Sequence, residues 1–205
     1  MTNLRIGRVP GVTLTKWERI WRERYPRVPL EVHDVGTDDQ RRVVIDHVVD
    51  MCFARLPIDR VGLHAIPLYS EVPVVWLSPD HPLATFDTLV TADLAGEKVC
   101  YDIDQGSIDL ATASAAVLRV PMSVARSRSR RDLVYRPVTD AAPTTVALVW
   151  RVDDDNELLD EFIGVVRGRT VNSSRSAQTR TAAPRKGRLG RENTTSRPRK
   201  ARRPQ

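Results

Sequence analysis

The chain has 205 residues, and hydrophobic residues make up 41% of it, which is enough to bury the core of one large domain or two small ones. The formal net charge of +6 is unevenly spread, because residues 170–205 hold eleven basic residues and one acidic residue, whereas residues 1–169 hold 21 basic and 25 acidic residues. Two cysteines 48 positions apart exclude a disulfide framework, and the lack of a signal-peptide core or of any apolar run near the ~20 residues of a membrane span predicts a cytoplasmic protein of bacterial type.

The N-terminal segment has the pattern of a strand followed by a helix. Apolar and polar residues alternate over Leu4–Val9, which predicts a short strand that a Pro-Gly pair ends. Apolar side chains then recur at helical spacing over Thr13–Tyr25, and the proline that follows ends this predicted helix. Thr15 and Glu18 fit a capping box, although Thr13 is an alternative N-cap.

The next forty residues continue the alternation of strands and helices. A second strand is predicted over Val28–Val35, and Pro29 within it favours an edge position. A helix is predicted from Thr37 to about Val49, followed by a buried strand with the sequence DMCFARL. This order predicts a parallel sheet covered by helices, with ligands bound at the loops VPGVT and ARLPI that follow strand ends.

The second half of the chain mixes strands and helices in the same way. Val72–Leu77 is apolar and rich in β-branched residues, which predicts a strand. Val120–Ala125 is predicted as a strand or loop with a helical turn after it. Further strands are predicted over 98–101, 132–138 and 144–150, and helices over 108–118 and 156–167, with a one-turn helix that begins after an N-cap-like Thr91. The last helix follows three aspartates, which are favoured before a helix N-terminus by its dipole.

Several motifs together carry a resemblance to a known family. The segments LRIG, RERYPRVPLEV, FARLPI, PLYSEVPVVWLSPDHPLA, ADLAGEKV and YRPVTDAAPTTVALVWR are similar to the effector-binding domain of LysR-type transcription regulators, over about residues 4–168. The resemblance implies two Rossmann-like α/β lobes joined by two crossing strands, the fold of type 2 periplasmic-binding proteins. It implies a first lobe of about 1–79 and 144–169, a second of about 80–143, and a small effector between them.

The sequence departs from the family pattern in two respects. LysR-type regulators carry a helix-turn-helix before the LRIG strand, so we expect a stand-alone sensor domain without the DNA-reading part. Only about sixty residues separate Asp80 from Ala142, so we expect a truncated second lobe with an exposed sheet edge. The family also implies a homodimer formed through the first lobe, with the strand at Val28 and the helix beginning at Thr37 as its contacts.

Two loops at strand ends are the predicted effector contacts. By resemblance, the loop PGVT contacts the ligand in the first lobe; its threonines offer hydroxyls beside free N–H groups of a helix N-terminus, although helix capping alone would explain them. An arginine in ARLP matches a family position where a strand end faces the cleft, and it pairs either with an acidic effector or with a surface carboxylate. The predicted effector-binding residues are Val12, Thr13, Thr15, Arg55, Leu56 and Pro57.

Nothing in the sequence predicts a cofactor, a metal or catalysis. The four histidines are scattered through different elements without metal-ligand spacing, and no Ser-His-Asp or G-x-S-x-G arrangement occurs. Cys52 lies in an apolar strand and is interpreted as a small buried hydrophobe. We therefore predict a non-enzymatic effector sensor.

Residues 170–205 suggest an alternative function. They are rich in Ser, Thr, Arg, Pro and Gly without periodicity, which predicts a disordered basic tail. Arginine-rich segments bind phosphates without reading sequence, so the alternative is a nucleic-acid-associated protein that binds nonspecifically through the tail. A solubilising extension would explain the tail as well. The residues predicted to contact nucleic acid are Arg185, Lys186, Arg188, Arg197, Arg199, Lys200, Arg202 and Arg203.

Overall fold

The computed structural model describes residues 3–169 and contains two β-sheets with helices packed against them. The strands are β1 (Leu4–Arg8), β2 (Leu30–Asp34), β3 (Met51–Leu56), β4 (Leu63–Glu71), β5 (Pro73–Leu77), β6 (Val99–Cys100), β7 (Val117–Pro121), β8 (Val134–Pro137) and β9 (Thr144–Arg151). The helices are α1 (Thr15–Arg24), α2 (Arg42–Ile45), α3 (Gln105–Thr112), α4 (Met122–Ser127) and α5 (Glu157–Val166), with 3-10 turns at Pro82–Thr85 and Thr91–Leu94. Residues 3–168 belong to one compact unit.

The first sheet has five strands in the order β2-β1-β3-β9-β4. β1 pairs in parallel with β2 and β3, as the alternation of strands and helices predicted, and β2 lies at the edge, as its proline predicted. β9 runs antiparallel to β3, and β4 runs antiparallel to β9, so β4 has the same direction as the three parallel strands. The prediction missed β4, because Pro67 and His64 interrupt its apolar pattern; an edge strand tolerates both.

The second sheet is the smaller one, with four strands in the order β6-β7-β5-β8. β5 lies inside this sheet, and Val74, Val75, Trp76 and Leu77 are all buried because apolar clusters cover both of its faces. One edge strand, β6, is only two residues long. We call the five-stranded sheet with α1, α2 and α5 the first lobe, and the four-stranded sheet with α3 and α4 the second lobe.

Sheet membership bears on the predicted boundary between the lobes. β5 hydrogen-bonds with β7 and β8, so it belongs to the second lobe although the prediction assigned residues up to 79 to the first. We therefore propose a boundary at Val72, with a return to the first lobe at β9.

Aromatic packing fixes α1 and the turn into β2. Trp21 is 1% exposed, its ring meets Phe162 of α5 edge-on at 5.6 Å, and its indole Nε1 donates to the carbonyl of Val28 at 2.9 Å. Trp17 stacks on Phe53 of β3 with ring centroids 4.9 Å apart. The α1–β2 turn is thus closed by a buried aromatic side chain that satisfies its own polar atom.

The predicted capping box of α1 does not form. The helix begins at Thr15, and its N-cap is Leu14, which makes no side-chain cap hydrogen bond. Leu14 is completely buried, so packing rather than capping sets where the helix starts. At α5 the cap is Asn156, whose side chain accepts from the backbone N–H of Leu158 at 3.0 Å, rather than one of the aspartates before it.

Two predicted helices are shorter than their sequence patterns. The helix predicted from Thr37 to Val49 is helical only at α2, and the one predicted over 108–118 ends with α3 at Thr112. In each case a residue with a left-handed backbone follows, His47 at φ 58° and Ser114 at φ 57°, and turns the chain into the next strand. Apolar periodicity alone did not reveal these turns.

Tyr25 links α1 to α5 and makes stability depend on alkaline pH. Its hydroxyl donates to the carboxylate of Glu161, and burial, with this hydrogen bond, raises the pKa of Tyr25 to about 12 from an ordinary value near 10. Because the pKa of Tyr25 is higher in the folded state, its contribution to stability is complete below pH ~10 and is lost as the pH rises toward 12.

We expect urea unfolding of the wild-type chain at pH 8, 10 and 11 to show a loss of stability with rising pH that is smaller in Tyr25→Phe. Equal losses in the two chains would contradict the role of Tyr25.

Candidate functional site

Three segments meet between the two sheets and line an open cavity of about 520 Å³. They are the loop after β1, the end of β4 with the residue after it, and α4 of the second lobe. The volume lies in the range of small-molecule sites, roughly 300–1,000 Å³. The lining residues are Gly11, Thr13, Tyr69, Ser70, Glu71, Val72, Met122, Ser123, Arg126 and Ser127. The cleft that the resemblance implied is therefore present, with walls from both lobes.

At Gly11 the backbones of the two lobes approach closely. Its φ of +86° is left-handed, and a Cβ added there would lie 2.6 Å from Ser123 Oγ and 2.8 Å from the backbone nitrogen of Val124. Only glycine avoids both the strain of a left-handed backbone and these close contacts. The loop after β1 thus rests directly on the N-terminal end of α4.

A buried ion pair forms the floor of the cleft. The side chains of Arg55 and Glu71 are 8% and 3% exposed, and Arg55 Nε donates to Glu71 Oε2 at 2.7 Å. Arg55 Nη2 also donates to the carbonyl of Pro10 at 2.6 Å and to Ser123 Oγ at 3.3 Å. The hydroxyl of Ser123 in turn donates to Glu71 Oε1. One network therefore joins β3, β4, the loop after β1 and α4.

Gln40 holds the backbone of Arg55 in place. Its side-chain Oε1 accepts from the Arg55 backbone N–H at 2.7 Å, and its Nε2 donates to the Arg55 carbonyl at 2.9 Å. Gln40 is 7% exposed, and both ends of its amide are satisfied by one residue. Gln40 thus fixes the backbone position from which the Arg55 side chain extends.

The three predicted contacts in the loop after β1 have different positions. Thr13 is exposed and lines the cavity. Val12 is 4% exposed and packs into the first-lobe core beside it. Thr15 is exposed on the first turn of α1 and is not among the lining residues. Ligand contact for these residues stays a prediction.

The three predicted contacts at the end of β3 lie behind or beside the cavity. Arg55 is not among the lining residues, but its guanidinium donates to Glu71, which is. Leu56 packs against a first-lobe apolar cluster, and Pro57 is exposed outside the lining. The surface ion pair considered for Arg55 from the sequence is in fact a buried one.

Sequence reasoning missed Glu71, Ser123 and Arg126. Glu71 directly precedes the apolar run VPVVWL, and this position next to a predicted buried strand was the available signal. Ser123 and Arg126 gave none, because their position at the cleft depends on how α4 packs against β5 and β7.

Arg126 provides the positive charge at the rim of the cleft. It is exposed, its Nε donates to the hydroxyl of Tyr135 at 3.3 Å, and its guanidinium carbon lies 5.9 Å from the centroid of that ring. Within residues 3–169 it forms no salt bridge, whereas Glu71 is compensated by Arg55. The cleft therefore carries a net positive charge at its rim, where an anion would be favoured. Partial burial and nearby Glu71 raise the pKa of Tyr69 above its ordinary value, which already keeps the phenol protonated at neutral pH.

A second cavity of about 510 Å³ lies entirely in the second lobe. Trp76, Tyr135 and three arginines are among its lining residues. One of these, Arg130, pairs with Asp132 at 2.6 Å and lowers the pKa of that carboxyl to about 2. Because only one lobe lines it, relative movement of the lobes would not close it.

The remaining reactive side chains are scattered. Across the part of the chain that the structure describes, no three His, Cys, Asp or Glu side chains are grouped to hold a metal ion. Cys52 is completely buried, as expected of a small core residue, and burial raises the pKa of its thiol to about 12. No helix between residues 3 and 169 has the length and apolar character needed to cross a membrane.

Two α/β lobes with a ligand-sized cleft between them define an effector-binding domain with a periplasmic-binding-protein-like fold. The sequence model described as LysR substrate binding domain matches residues 3–106, half of the chain. The chain therefore belongs to this family, and the resemblance and the fold class inferred from the sequence are confirmed. No curated protein sequence matches the chain significantly.

Solved structures of transcription regulators share the fold. The BenM effector binding domain with its effector benzoate matches with a TM-score of 0.69 and 20% identity, over 90% of this chain and 96% of that one. Full-length CbnR complexed with its target DNA matches with a TM-score of 0.66 and 14% identity, over 81% and 70%. A hydrogen-peroxide-bound mutant of Corynebacterium glutamicum OxyR matches with a TM-score of 0.67 and 21% identity, over 82% and 67%.

Proposed function

We propose that this domain is a non-enzymatic sensor that binds a small effector between its lobes and signals its presence by lobe closure in transcription control. The observation that carries this proposal is the cavity of about 520 Å³ whose walls come from both lobes. A ligand in contact with both walls stabilises their closed arrangement, which is the differential binding that a conformational signal requires. The proposed place of action is the cytoplasm.

The lining of the cleft favours a small anionic or aromatic metabolite. Arg126 supplies an uncompensated positive charge, and Thr13 supplies a hydroxyl donor. Val72 and Met122 supply apolar surface for a ring or an aliphatic body. The BenM effector binding domain has benzoate as its effector, which makes benzoate a reasonable first probe.

A screen of the full chain against small organic acids, including benzoate, tests this function by thermal shift followed by calorimetric titration. We expect an acid that raises the melting temperature, and about tenfold weaker binding of that acid in Arg126→Gln, because one charge-assisted contact is lost. Arg128→Gln is the matched control, since this exposed arginine lies in the same basic run outside the lining. Absence of any stabilising acid, or equal weakening in both variants, would count against the cleft as the sensor site.

We further propose that the first lobe forms a homodimer through its β2 edge. β2 has a free edge in the described sheet, with partly exposed apolar side chains at Leu30 and Val32. Such an edge offers both backbone hydrogen bonds and apolar surface to a second copy. Sedimentation velocity on the full chain is expected to show a dimer that Val32→Lys weakens, and a monomer at all concentrations would refute it.

The comparisons do not favour the alternative of a nucleic-acid-associated protein. The tail residues predicted to contact nucleic acid, from Arg185 to Arg203, lie outside the described residues. The family match falls on the α/β domain instead.

A further inference from the structure

We propose that Glu71 is the residue that determines which ligand charge the cleft accepts, because its carboxylate occupies an anion-binding position built from Arg55 and Ser123. The domain thus holds an acid group of its own where a ligand's acid group would otherwise bind. This inference rests on the proposed function of the cleft as the effector site.

The groups around the Glu71 carboxylate are those of an anion site. Arg55 donates to both of its oxygens, from Nε to Oε2 at 2.7 Å and from Nη2 to Oε1 at 3.3 Å, and the Ser123 hydroxyl donates to Oε1 as well. A two-point guanidinium contact with an added hydroxyl is how proteins hold carboxylates of small ligands. Since Glu71 also lines the cavity, this position is continuous with the space available to a ligand.

The site is held together by contacts that do not involve Glu71. The carbonyl of Pro10 accepts from Arg55 Nη2 at 2.6 Å, and Gln40 fixes the Arg55 backbone through two hydrogen bonds. Gly11 packs against Ser123, which keeps the hydroxyl near the guanidinium. Removing the carboxylate alone therefore leaves the donors in position for another anion.

The internal carboxylate has a direct consequence for ligand choice. With Glu71 in place, a ligand acid group at the floor of the cleft would meet a negative charge whose counter-ion is already used, so it is directed to Arg126 at the rim. The cleft then accepts one anionic group and excludes a second at its floor. Glu71 also bonds the second lobe through Ser123, so a ligand that donates to Glu71 competes with an interlobe contact.

Chemical rescue of Glu71→Ala tests this assignment in the full chain. We expect sodium acetate to raise the melting temperature of the variant in a saturable way, by about 4 °C or more at concentrations well above its Kd, because acetate replaces the missing carboxylate. Acetamide, which has the same shape without the charge, and sodium chloride at matched ionic strength are expected to have no such effect. In the wild-type chain Glu71 fills this position, so its response to acetate should be clearly smaller than that of the variant.

The double variant Arg55→Met with Glu71→Ala is the control, because it removes the cation that acetate would meet. Rescue that persists in this variant, equal rescue by acetamide, or no rescue at all overturns the inference. If Glu71→Ala does not fold, Glu71→Gln keeps the side-chain shape; a benzoate affinity roughly tenfold or more above that of the wild type supports the inference. An equal or lower affinity overturns it.

The outcomes separate this inference from the proposed function. Acetate rescue together with no stabilising acid for the wild type would refute the effector proposal and leave the anion position established. An effector for the wild type together with no acetate rescue would refute the role of Glu71 alone.

Discussion

Arg55→Met is expected to lower the free energy of unfolding by about 3–5 kcal/mol, because it leaves the carboxylate of Glu71 buried without its counter-ion. The side chain of Glu71 is 3% exposed, so little water reaches it to replace the lost partner. The substitution also leaves the carbonyl of Pro10 without its donor. Urea unfolding of the full chain measures the effect.

The double variant Arg55→Met with Glu71→Met distinguishes the ion pair from mere packing. A buried pair replaced as a unit by apolar residues of similar volume often costs little. We therefore expect the double variant to recover most of the stability that either single variant loses, so that the coupling free energy is at least as large as one single loss, about 3 kcal/mol or more. Losses that simply add would show that Arg55 and Glu71 contribute independently.

Gly11→Ala is the second substitution with a large expected effect, because it pushes the two lobes apart. The new Cβ would lie 2.6 Å from Ser123 Oγ and 2.9 Å from the Ser123 carbonyl carbon, and backbone atoms cannot move aside as a side chain can. Overpacking of this kind costs about 1–3 kcal/mol, beyond the roughly 1–2 kcal/mol for a left-handed alanine. Unfolding in urea again gives the value.

Gly96→Ala is the matched control for this substitution. Gly96 has a similar φ of +91°, but a Cβ added there meets no atom within 4 Å. It therefore reports the backbone penalty alone, and the difference between the two variants reports the contact between the lobes. Equal losses in both would mean that the lobes are not in contact at Gly11 in solution.

Much of the first lobe could be predicted from sequence periodicity. The strands β1, β2 and β3 and the helix α1 followed from apolar spacing and from the positions of prolines, because each buries one face against a common core. The positions where α2 and α3 end, just before the left-handed residues His47 and Ser114, could not be predicted in this way. Their left-handed backbones are set by where the following strand must begin, which is a property of the sheet and not of the local pattern.

The candidate site was predictable only in part. Thr13 followed from its place after β1, and Arg55 from its place at the end of β3. The partner of Arg55 could not be identified, because Glu71 is 16 residues away and reaches it only when β4 crosses back alongside β9. Ser123 is 68 residues from Arg55 and belongs to the other lobe.

By itself, the sequence determined the family, the α/β class and the strand-end loops, because these depend on local patterns of apolar, proline and glycine residues. Only the tertiary structure decided the charge of the cleft. From the sequence, Arg55 could pair either with an acidic effector or with a surface carboxylate; in the fold it forms a buried pair with Glu71, and Arg126 is the charge at the rim. The physical reason is that the charge a ligand meets at a side chain depends on which charged groups the fold places beside it. These groups are distant in the sequence, so the sequence neighbours do not reveal them.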